Sequence, residues 1–145
     1  MSNFYVDTGD QVKFSKTVGE YDVYGFAGIT GDFAPIHTND EFMKRSSYGQ
    51  RIAHGVLSVG FMSTASSQLL AGIISDDWEE TPVSLGYDRI RFLLPVFFGD
   101  TLTVTYTVKE VDAERRRSRS DIQVTNQKDE VVSVAEHIMK WVKNA

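Results

Sequence analysis

Residues 52–75 read IAHGVLSVGFMSTASSQLLAGIIS, 24 consecutive positions without Asp, Glu, Lys or Arg in a chain of 145 residues. A stretch of that length can in principle span a bilayer. Its contents decide otherwise: Ser58, Ser63, Thr64, Ser66, Ser67, Gln68 and Ser75, with Gly55, Gly60 and Gly72, are too polar for lipid. The apolar positions Val56, Val59, Phe61, Met62, Leu69 and Leu70 fall nearly all round a helix predicted over about 52–71. A helix apolar on most sides has to be wrapped by other parts of the same chain.

The second half supplies the wrapping. Residues 83–95, 101–111, 118–126 and 131–141 are rich in β-branched and aromatic side chains, which suit a pleated, half-buried surface. Turn signals separate them at Phe98-Gly99-Asp100, Glu114-Arg115-Arg116-Arg117 and Gln127-Lys128-Asp129-Glu130. These runs predict an antiparallel meander, with an extra strand over 12–18. The first half predicts helix and loop: a short amphipathic stretch over 19–28, and a turn of helix capped by Asn39 and running through 42–46. Between them Gly31-Asp32-Phe33-Ala34-Pro35-Ile36-His37-Thr38 is predicted as an ordered loop rather than helix, because Pro35 pushes Ala34 toward extended geometry. The sum is an α+β layout, one domain over residues 1–145, with a sheet curled around one long helix.

Composition narrows the function classes. With 41% hydrophobic and 24% charged residues, 11 Gly and 3 Pro, the chain is neither disordered nor collagenous. A net charge of −5 lacks the electrostatic footprint of a nucleic-acid binder. The absence of cysteine excludes disulfides, thiolate metal sites and a cysteine nucleophile. Met1-Ser2-Asn3-Phe4-Tyr5-Val6-Asp7 has neither the basic start nor the apolar core of a signal peptide, so the expected compartment is the cytoplasm, without membrane insertion.

The candidate chemistry lies just before the long helix. Asp32 and His37 stand five positions apart in the segment pinned by Gly31 and Pro35. A carboxylate and an imidazole held together can share one water, the pair needed to add water across a polarised double bond. Asp is a weak base, and an apolar pocket formed by Phe33, Ile36 and Phe42 is expected to raise its pKa. The plainer alternative is an Asp that caps a turn and a His satisfied within its loop.

The run Gly31-Asp32-Phe33-Ala34-Pro35-Ile36-His37, then Tyr48-Gly49, then Ile52-Ala53-His54-Gly55-Val56-Leu57, resembles the signature of the MaoC-like dehydratases and (R)-specific enoyl-CoA hydratases, which are hot-dog fold proteins. The resemblance continues through Ser63 and through Arg91-Phe92-Leu93-Leu94-Pro95-Val96-Phe97-Phe98-Gly99-Asp100-Thr101-Leu102, and covers about 14–142. It departs at Ala34, where that family usually has Asn, so a hydrogen bond that organises the loop is missing here.

The resemblance implies a reversible syn hydration of trans-2-enoyl-CoA to (R)-3-hydroxyacyl-CoA, with Asp32 and His37 activating the water. The backbone N–H of Gly55 then stabilises charge on the thioester oxygen, helped by the helix dipole. Ser63 is expected to line the site, or else to bond the helix backbone; His54 is expected to order the helix start by a hydrogen bond. Arg89 and Arg91, flanking Ile90 on one face of a strand, are candidates for the phosphates of coenzyme A, whereas Arg115, Arg116, Arg117 and Arg119 read as a solvated turn. Met43, Met62, Met139 and Trp141 read as core and acyl-pocket lining. No cofactor is implied, coenzyme A being part of the substrate. No metal is implied either, although Asp32, His37, His54 and His137 are suitable ligand types. The expected partner is a second copy of the chain, giving a homodimer that completes the site. Two other readings are a hot-dog thioesterase, disfavoured because residues 52–75 carry no acid, and a binding module that holds acyl-CoA without turnover.

Overall fold

A computed structural model describes residues 4–145. Strand β1 (Gln11–Thr17) is followed by helices α1 (Glu20–Thr30), α2 (Pro35–Thr38), α3 (Asp40–Lys44) and α4 (Gly55–Ala71), then by strands β2 (Glu80–Phe92), β3 (Thr101–Asp112), β4 (Arg117–Thr125) and β5 (Val131–Lys143). The strands form one five-stranded antiparallel sheet in the order β1-β3-β4-β5-β2. Burial alternates along β3 and β4, the period-2 pattern of strands with one covered face. That face meets α4: Leu102, Val104, Tyr106, Ile122, Val124 and Ala135 share one core with Phe61, Met62 and Ala65. A smaller cluster of Val6, Leu70, Val108, Met139 and Trp141 closes the far end of the helix. This is the hot-dog arrangement the sequence predicts, and no helix of the described residues is long and apolar enough to cross a membrane.

The local expectations need three corrections. Pro35–Thr38 is a turn of helix rather than loop: Pro35 stands at its start, where a missing N–H costs nothing and the fixed φ is already helical. The long helix begins at Gly55, three residues later than predicted, because Ile52 pairs with Phe97 and the N–H of Ala53 donates to the carbonyl of Val96. The strands are also not a simple meander. The amides of Leu93 and Leu94 both donate to Val132, and the chain then passes the entry to α4 at Val96 and Phe97. That crossing carries it from one edge of the sheet to the other, so β2 pairs with β5 while β3 begins beside β1.

Candidate active site

The site is assembled from the tract between α1 and α4. Gly31 ends α1 in the left-handed region (φ 81°), its N–H donating to Ala27, and so turns the chain into Asp32. The Asp32 carboxylate accepts from the N–H of Ala34 at 3.2 Å, a local turn that holds without the amide usual at position 34. One turn of α2 then carries His37 inward, where it is buried. Its Nδ1 lies 2.7 Å from the carbonyl of Ile52. A carbonyl only accepts, so this contact assigns a proton to Nδ1 and leaves Nε2 as the exchanging nitrogen.

His54 makes a hydrogen bond at the helix start, as expected of it, but not as a cap. It stands at the N-cap of α4 but makes no capping hydrogen bond; its Nε2 donates instead to the carbonyl of Asp32 at 2.9 Å. Its ring stacks on that of His37 with centroids 3.7 Å apart and an interplanar angle of 27°, and Phe26 covers it at 4.7 Å. One donor atom from each of Asp32, His37 and His54 lies within 4.8 Å of the other two. Two hydrogen bonds of about 2.8 Å reach about 5.6 Å, so a single water can bridge the carboxylate and the imidazole.

These groups open on a cleft of about 430 Å³ whose walls include Ile36, Tyr48, Ile52, Val56, Phe92 and Val132. The first amides of α4, those of Gly55 and Val56, have no intrahelical acceptor and form the positive end of the helix dipole. Gly55 sits flush against Phe92: a Cβ there would lie 2.8 Å from Cγ of that ring. Deeper in the cleft a directed chain of hydroxyls runs from Ser133 to Ser58 at 3.1 Å and from Ser58 to the carbonyl of Gly55 at 2.7 Å.

The structure thus brings together Asp32, His37 and Gly55 and leaves other predicted residues out. Ser63 is not in the cleft wall; eight residues turn about 80° beyond two full helical turns, which carries it off the face of Gly55. It contacts the Tyr87 hydroxyl instead. Arg89 and Arg91 do not share a face as simple alternation requires, because the register slips between Asp88 and Arg91 and Arg89 has φ 54°. Arg89 reaches Glu136 at 3.5 Å on the sheet face away from α4, while Arg91 bonds the carbonyl of Ile90. The pocket expected to enclose Asp32 is not closed within one chain: the Asp32 side chain is 52% exposed, and Phe33, Ile36 and Phe42 are all open to solvent.

Sequence reasoning missed Ser58, Ser133 and Phe92. Ser58 had a signal, a hydroxyl three residues after Gly55 on a helix, where it can bond back to that carbonyl. Ser133 had none, since it arrives through sheet pairing; Phe92 lies in the matched run 91–102, but only the pairing of β2 with β5 sets it beside Gly55.

Asp32, His37 and His54 are a ligand set of the right types for a divalent ion, while His137 lies apart, bonded to Tyr106 and Ser84. The stacked rings fit an ion poorly. Ring nitrogens bind metals in the ring plane at about 2.0–2.1 Å, and two near-parallel planes 3.7 Å apart do not converge on one point.

Comparison with known proteins supplies the family and the fold. Residues 4–132 match the family described as MaoC like domain. The chain is 36% identical over 128 residues to the 3-hydroxybutyryl-CoA dehydratase of Methylorubrum extorquens, covering 88% of this chain and 76% of that protein. It is 33% identical over 112 residues to the (R)-specific enoyl-CoA hydratase of Rhodospirillum rubrum, covering 77% and 72%. Among solved structures, the R-hydratase PhaJ1 of Pseudomonas aeruginosa superposes with a TM-score of 0.77 at 27% identity, covering 96% of this chain and 84% of that one.

Proposed function

The chain belongs to the MaoC-like domain family, and on that premise we propose that it reversibly hydrates trans-2-enoyl-CoA to (R)-3-hydroxyacyl-CoA. The observation that carries this reading is the juxtaposition of a carboxylate and a fixed imidazole within 4.8 Å, on a cleft that ends at unpaired helix amides. With the enoyl thioester in the cleft, the water held between Asp32 and His37 gives its oxygen to C3 and a proton to the Asp32 carboxylate. The double-bond electrons move toward the thioester oxygen, which accepts a hydrogen bond from the N–H of Gly55. The proton that Asp32 took from the water passes to the free Nε2 of His37 and from there to C2, so both groups end as they began. Water is consumed and nothing else is gained or lost.

Coenzyme A enters as part of the substrate, with no separate cofactor, and the reading places the enzyme in the cytoplasm. It also includes a homodimer. Among the described residues strand β2 ends the sheet with an unpaired edge, and Val83, Leu85, Phe92 and Val56 leave apolar surface around it, the kind of edge that proteins normally cover. A second copy added there would shield the exposed Asp32 side. Sedimentation equilibrium is expected to give a dimer, and Leu85→Glu to give a monomer with impaired turnover; a fully active monomeric wild type would remove this part.

The reading is tested by following loss of the enoyl-thioester absorbance with a panel of trans-2-enoyl-CoAs, with chiral analysis of the product and a thiol reagent for free coenzyme A. Consumption with (R)-3-hydroxyacyl-CoA formed and no thiol released is expected; thiol release would mark a thioesterase, and binding without product a passive module. Gly55→Ala provides a narrower test. The added methyl must displace the Phe92 ring near its stem, disturbing the wall that faces the donor amides. Losing such a donor costs about 10²–10³-fold in rate, so displacing the wall beside it is expected to lower kcat/KM at least about tenfold.

A further inference from the structure

His54 is buried within the site yet takes no part in the chemistry above. It is 4% exposed, its Nε2–H is committed to the carbonyl of Asp32, and its Nδ1 has no hydrogen-bond partner among the described residues. The carbonyl contact fixes the tautomer: hydrogen on Nε2, a bare lone pair on Nδ1. A buried acceptor without a partner is a standing cost that folded proteins otherwise avoid. An apolar side chain would fill the same space without that cost but would release Asp32. An amide would keep the hydrogen bond but lose the flat surface beneath His37. Among side chains of this size, an imidazole provides both.

We infer that His54 is a positioning residue for the Asp32 and His37 pair, its edge anchoring the main chain of Asp32 while its face supports the ring of His37. The inference rests on the hydration reading and deepens it. His37 is held at one atom by Ile52, a contact that fixes Nδ1 but leaves the ring free to tilt; stacking at 3.7 Å removes that freedom. Asp32 needs an anchor because the one hydrogen bond its carboxylate accepts among the described residues is local, from the amide of Ala34, and Nε2 of His54 stands 3.9 Å from its Oδ2. The tie from residue 54 crosses 22 positions and sets where that carboxylate emerges. Both supports come from the tract that leads into α4, so acid, base and donor amides share one frame. A displacement of about 1 Å far from the reacting atoms is enough to cost about 10²-fold.

The test compares His54→Gln, which keeps the hydrogen bond, His54→Phe, which keeps the stack, and His54→Ala, which keeps neither. Initial rates with crotonyl-CoA give kcat and KM, and thermal melts report folding. Positioning predicts kcat lowered about tenfold in Gln and Phe and about 10²-fold in Ala, with KM within about twofold of wild type and partial rescue by the two conservative variants. Should the Ala variant not fold, the Gln and Phe variants decide. Folded variants with kcat within about twofold of wild type, or a fall in melting temperature with no fall in kcat, overturn the inference alone. A wild type inactive on every enoyl-CoA overturns the hydration reading, and this inference with it.

Discussion

Asp32→Asn is expected to lower turnover of crotonyl-CoA by about 10²–10⁴-fold, the usual contribution of a general acid or base, while the protein melts as the wild type does. The amide keeps the oxygen that accepts from Ala34, so the loop retains its local turn, and the side chain is half exposed, so little packing is lost. What disappears is a base able to take the proton from water. His37→Ala should cost as much in rate but also some stability, because the carbonyl of Ile52 loses its partner in a buried setting, a penalty of about 1–3 kcal/mol. His37→Gln is the cleaner variant. The double variant should be hardly worse than the more damaging single change, since two groups acting on one water form a unit. Rates within about threefold of wild type in both single variants would remove these residues from the mechanism.

The second large effect concerns His137, which the mechanism does not use. It is fully buried on β5, with its ring nitrogens 2.7 Å from the Tyr106 hydroxyl and 2.8 Å from the Ser84 hydroxyl, and Tyr87 stacks on it at 4.5 Å. Burial among neutral partners penalises the charged ring and pushes its pKa down from 6.5 to about 4. The unfolded chain therefore binds a proton that the folded chain refuses between those two values. Stability from this group is complete above about pH 6.5 and is lost as pH falls, by about 2 kcal/mol at pH 5 and about 3 kcal/mol at pH 4. Carboxylates also titrate near the lower end, so the measurement is a difference. In urea unfolding, the stability gap between wild type and His137→Gln should move by about 3 kcal/mol in favour of the variant on going from pH 7 to pH 4. A gap that does not change with pH would contradict a neutral buried ring.

Much of this architecture is legible from the chain alone, for identifiable reasons. A helix without charge from residue 52 onward has to lie inside something, and β-branched runs with turns between them can only be the sheet around it. Asp32 and His37 are legible as a pair because local constraints, a glycine before and a proline between, hold them in one tract. Features set by long-range pairing were not. The start of α4 depends on Ile52 being drawn into a bridge with Phe97, and the order of strands on where the link after Phe92 crosses. The faces of Arg89 and Arg91 depend on a slipped register, which no alternation pattern records. The partner of His54 is hidden for the same reason, being a carbonyl in the loop 22 positions before it.

The most direct test of the shared-water geometry is to hydrate crotonyl-CoA in deuterium oxide and determine where the label stands. Asp32 and His37 lie on one side of the cleft, so oxygen at C3 and deuterium at C2 should enter from the same face, giving a single (R)-3-hydroxybutyryl-CoA with syn relative configuration. Anti addition, or a mixture of configurations at C2 at early times, would contradict delivery of both elements of water from that pair.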